Sequence, residues 1–246
     1  MRCGCYTVYM EIKQAPVQSV VAKMWRTSIY VGCVVAAVFI LYTYIYEGGF
    51  SLVGVSKAVA GTAAVMIGLS FALSGIGYYF DFLDKKIAYR KYFGLVGFWL
   101  ALAYSVLLLF VDPEKYFYGF FDHLGSAEVL LGLGAMCILT AMTIVSNPWG
   151  IKRLGAARWR RILHLGYLAY AFLIIRAYIL EHTVWGDWIA VPSGLPPPRL
   201  VVTIFAVAVI AFRGSMIISV FLKRRHASIV APQQQPVDSQ QVDTKQ

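Results

Sequence analysis

Six stretches of this chain are almost free of charge, and each is about long enough to cross a bilayer: Val31–Tyr46, Leu52–Tyr79, Phe93–Val111, Ala127–Val145, Ile162–Leu180 and Leu200–Leu222. The hydrocarbon core takes about 20 apolar residues per helix. Lipid offers no partner to an open backbone, so only helices and closed barrels span it. The stretches lack the two-residue alternation of barrel strands. The expected fold is therefore all-α: a polytopic membrane protein with six transmembrane helices in a bundle. The first stretch is short and is expected to begin nearer Thr27. The second is long, and is expected to tilt or to run past the membrane as Gly75–Phe82. The composition agrees, because only 14% of residues are charged, against about 25% in a soluble domain.

Orientation follows from the basic residues. Seventeen of the 22 lysines and arginines fall in the N-terminal segment, the second and fourth connections and the C-terminal segment, all on one side. The opposite connections hold only Lys115 and Arg199, while Glu47, Asp112, Glu114, Asp122, Glu128, Glu181 and Asp187 lie on or near that side. The positive-inside rule places the basic side, with both termini, in the cytoplasm of a multi-pass cell-membrane protein. The net charge of +10 is thus a mark of topology. Nucleic acid is not an expected partner, since that would need a soluble basic surface on a recognisable module; the lipid bilayer is.

Residues 1–26 read as a polar cytoplasmic segment without the apolar core of a signal peptide. Residues 27–222 form the transmembrane domain, and 223–246 a basic, then disordered, cytoplasmic tail. Cys3 and Cys5 sit at the reducing side and make no closed metal site, which needs four ligands. Cys33 and Cys137 read as small apolar helix residues. No metal site is expected.

The spans contain two deep arginines with no acidic residue at their level. Arg213 is placed near the middle of the sixth span, and Arg176 about 7 Å outward from the middle of the fifth by the helical rise. An arginine at a helix centre costs about 2.5–3.5 kcal/mol on the insertion scale. Its partners would be carbonyls, tyrosine hydroxyls or rings, water, lipid phosphate or an anionic ligand; a haem propionate, a quinone or a lipid headgroup would suit a guanidinium. Snorkelling to the nearer interface suits Arg176 and strains Arg213. Of the four histidines, His123 and His182 fall at the outer side and His226 in the tail, which leaves His164 within a span.

Two helix entrances carry a more specific pattern. Arg90–Tyr104 reads RKYFGLVGFWLALAY, and Asn147–Tyr170 reads NPWGIKRLGAARWRRILHLGYLAY. They resemble the third helix, and the loop and fifth helix, of the ferric reductase-like transmembrane domain family. Within it they look most like the haem-bearing membrane subunits of bacterial methionine sulfoxide reductase systems. The resemblance is clearest over Gly77–Leu180. It implies six helices, haem b held between helices by histidines, and electron transfer across the membrane. A quinol or a separate redox protein would be the electron donor.

The ligand positions depart from the family's pattern. Its third-helix histidine falls on Tyr104. Alignment on Trp159 puts the two fifth-helix histidines at Leu163 and Arg176; a shift of one residue recovers His164 but moves the second to Ala177. A tyrosine can also ligate haem iron, which keeps Tyr104 and Tyr178 as candidates. The cofactor-binding candidates are therefore His164, Tyr104, Arg213 and Arg176. Three readings follow: a redox subunit with weakened or lost haem binding, a haem-free scaffold or binding subunit derived from the same family, and a small transporter.

Overall fold

The computed structural model describes residues 4–79, 88–192 and 194–230. These form six long helices: α1 (Gly4–Glu47), α2 (Leu52–Tyr79), α3 (Tyr89–Val111), α4 (Ala127–Val145), α5 (Pro148–Ala190) and α6 (Pro198–Val230). All six contain a segment long and apolar enough to cross a membrane. No strand occurs among the described residues. Between α3 and α4 lie a π turn, Glu114–Tyr118, and one α-helical turn, Phe120–His123.

Helix bounds follow local chemistry. The α1–α2 link turns at Gly48, whose φ of +72° suits a residue without Cβ. Ser51 then caps α2 by accepting the Gly54 N–H at 2.8 Å. Pro148 starts α5, where a missing N–H costs nothing. Seven residues on, α5 is broken at Gly155, at φ 73° and ψ 157°, a region essentially confined to glycine.

The structure extends α1 beyond its expected start. The helix runs from Gly4 to Glu47. Helix α6 likewise continues to Val230; the tail beyond it, and the loop cations Lys85 and Lys86, lie outside the described residues.

Helix α2 is the hub. Half of its apolar window is buried, against 11–22% in the other five. Helices α1, α3 and α6 pack against it. Small residues make this closeness feasible. A Cβ on Gly68 would sit 2.5 Å from the Tyr170 hydroxyl and 2.6 Å from Phe205, and one on Gly97 of α3 would sit 2.7 Å from Ile67. Tyr170 is buried and donates its hydroxyl to the Ala64 carbonyl at 2.9 Å. The core joins Ile67 and Phe71 of α2, Phe98 of α3, Leu139 of α4, Tyr170 of α5 and Val209 of α6. Large apolar side chains such as Val38, Phe110 and Ile204 point outward, as lipid-facing residues do. The α4/α5 pair is tightly packed, but α3 and α4 touch only sparsely, so a thin seam runs between them.

Candidate functional site

Alternating helix direction separates two chemically different ends. Glu47, Asp112, Glu114, Asp122, Glu128, Glu181 and Asp187 gather where α1, α3 and α5 finish. Arg90, Lys91, Arg153, Arg158 and Arg161 gather at the other end. Three ion pairs, Lys57–Glu47, Lys115–Glu128 and Arg199–Glu181, stand at the acidic end.

Below that end, Arg176 points into the bundle and is only 8% exposed. Its Nε donates to the Glu128 carbonyl at 2.9 Å, Nη1 to the Tyr104 hydroxyl at 3.3 Å and Nη2 to the Tyr116 hydroxyl at 3.4 Å. The guanidinium also lies 5.9 Å from the centre of the Tyr104 ring. One side chain of α5 thus clamps α3, the π turn and the start of α4. Gly132 leaves the room, since a Cβ there would lie 3.2 Å from Arg176 Nε. The first bond is the strong one; the tyrosine contacts are long for N–H···O geometry, and the ring contributes through cation–π attraction. Arg176 therefore does not snorkel: the bundle offers it a carbonyl and two hydroxyls at its own depth.

Tyr104 and Arg176 also divide two cavities. One, of about 240 Å³, lies toward the α3/α4 seam beside Tyr116 and Glu128. The other, of about 100 Å³, lies toward Lys57, Tyr170 and Arg199. Both residues line both spaces.

Arg213 is placed differently from the sequence expectation. It stands beside Tyr167 of α5 and close enough to Arg90 at the start of α3 for the two charges to interact, which puts it toward the basic end of the bundle. Nη1 of Arg213 contacts the Met216 sulfur at 2.9 Å, and the guanidinium lies 5.6 Å from the Tyr167 ring centre. His164, one turn before Tyr167 on α5, is exposed, with its ring 6.4 Å from that of Tyr167. His123 and His182 sit against carbonyls of their own segments, Gly119 and Ile179. Tyr178 is 57% exposed. The structure thus joins Tyr104 to Arg176, and leaves His164 and Arg213 elsewhere.

Haem b does not fit these residues as a bis-histidine centre. Axial ligation needs a lone pair aimed between helices, whereas a guanidinium stays protonated and has none to offer. The Tyr104 oxygen is engaged by Arg176, and His164 faces outward. Among the described residues no group of three or more His, Cys, Asp or Glu could hold a metal ion. Sequence reasoning missed Tyr116 and the Glu128 carbonyl. A π turn that folds a loop tyrosine back under the helices leaves no periodic signal.

Fold and site define a multi-pass six-helix membrane protein with a buried arginine–tyrosine clamp near its acidic end. Over 83 residues the chain is 35% identical to the protein-methionine-sulfoxide reductase heme-binding subunit MsrQ of Agrobacterium fabrum. The likeness covers 33% of this chain and 38% of that protein, which supports a distant relationship. No family model matches the chain.

Proposed function

We propose that the chain is a membrane subunit of a redox assembly that works without haem b and holds a separate redox protein at the cell membrane. Its termini lie in the cytoplasm, as the basic end requires. The observation that carries this reading is the Arg176 Nη1 to Tyr104 hydroxyl bond. It joins Tyr104, on which the resemblance places the third-helix histidine, to Arg176, on which alignment on Trp159 places the second fifth-helix histidine. With those positions turned from ligation to a polar clamp, the bundle keeps its helix spacing through hydrogen bonds instead of through iron.

The test is a reduced-minus-oxidised visible spectrum of protein purified after expression with added haem, together with cross-linking in the native membrane. The expected result is no Soret band and a reproducible cross-linked partner. A stoichiometric b-type spectrum overturns the haem-free reading. A second reading, electron transfer through haem b, draws on the likeness to a heme-binding subunit. It predicts that spectrum, and the same measurement decides between the two.

A further inference from the structure

A third cavity, of about 480 Å³, opens at the basic end and uses none of the clamp residues. Its volume falls in the range of about 300–1,000 Å³ typical of ligand pockets. It lies between α2, α3, α4 and α5, at the basic end of the thin α3/α4 seam. Its deep wall is apolar, formed by Phe71, Phe98, Leu139 and Leu163, and its rim carries Arg90 and Lys91. Arg90 is held in place because its carbonyl accepts the Ser70 hydroxyl at 2.8 Å. It also stands close enough to Arg213 for the two like charges to interact. Three cations thus converge on one corner of the bundle, two of them lining the cavity itself.

We infer that this cavity binds an anionic phospholipid of the surrounding leaflet, its phosphate on Arg90 and Lys91 and an acyl chain along Phe71, Phe98 and Leu139. Arginine pairs well with phosphate oxygens. Basic pockets between membrane helices are suited to anionic lipid headgroups. The α3/α4 seam gives an acyl chain a sideways path from the bilayer, which a soluble anion would not need. An apolar wall beneath a cationic rim matches an amphiphile and not a free ion. A neutral quinone can accept hydrogen bonds from the two cations but leaves both positive charges unmatched. The inference uses neither Tyr104 nor Arg176, since neither touches this space.

The experiment is native mass spectrometry of the delipidated full chain, titrated with phosphatidylglycerol, phosphatidylcholine, ubiquinone or inorganic phosphate. The expected result is one tightly retained phosphatidylglycerol per chain, held in preference to phosphatidylcholine and ubiquinone and not displaced by inorganic phosphate. The double variant Arg90→Gln/Lys91→Gln should weaken it about tenfold or more, since hydrogen bonds to charged groups are the stronger class. Leu163→Trp, which fills the cavity and keeps both charges, should weaken retention as well, and carries the test if the charge variant does not fold. Unchanged retention in the variants overturns the inference. Displacement by inorganic phosphate, or an equal preference for ubiquinone, does so too.

Discussion

Arg176 of α5 and Tyr104 of α3 stand 72 positions apart in the chain, yet the guanidinium donates to the phenol oxygen at 3.3 Å with the ring 5.9 Å away. The pair separates two small cavities. A charge this well buried must be matched by fixed dipoles, because lone burial in low dielectric is costly. The Glu128 carbonyl and the two hydroxyls supply them.

Removing the guanidinium should therefore be expensive. Arg176→Met is expected to destabilise the protein by about 2–4 kcal/mol, as it leaves three polar partners facing an apolar chain. Arg176→Lys should fall between it and wild type, because a lysine keeps the charge but lacks the fork. Thermal unfolding in detergent measures both. Equal losses for the two variants would show that the fork geometry contributes nothing.

The tyrosine hydroxyls should matter less than the carbonyl bond. Tyr104→Phe and Tyr116→Phe are each expected to cost about 0.5–1.5 kcal/mol, given their long contacts. Both rings remain, so packing is preserved, and the same unfolding assay reports the difference. A loss as large as that of Arg176→Met would contradict the ranking.

A gain of function tests the clamp against iron ligation directly. The double variant Tyr104→His/Arg176→His is expected to acquire a b-type spectrum when haem is supplied, whereas each single variant should not. Two imidazoles on facing helices then replace one hydrogen-bonded pair. Failure of the folded double variant to take up haem would show that the helix spacing has also changed.

Close packing at the hub makes a separate prediction. Gly68→Ala should destabilise by about 1–3 kcal/mol, the cost of forcing a methyl into a filled space. In a Tyr170→Phe background the penalty should shrink, because the hydroxyl at 2.5 Å from the new Cβ is gone, although Phe205 still crowds it. A double-mutant cycle with no coupling would rule out this contact.

Orientation is open to a reporter assay. A fluorescent protein fused after Gln246 should be bright, and alkaline phosphatase at the same site inactive, if the basic end faces the cytoplasm. The reverse pattern would invert the molecule.

The sequence by itself determined the six spans, the all-α class and the separation of basic from acidic ends. Lipid leaves the backbone no other choice, and runs of apolar residues such as Leu52–Tyr79 and Ala127–Val145 show this without tertiary information. It also marked Arg176, Arg213, Tyr104 and His164 as unusual. Only the tertiary structure decided what each of them meets. Arg213 meets the Tyr167 ring and the charge of Arg90, neighbours that come from two other helices. Whether a side chain faces lipid or the bundle depends on helix rotation, which is set by contacts between distant segments. That rotation turned His164 outward and brought Arg176 onto Tyr104, with Tyr116 arriving from a π turn that no periodicity announces.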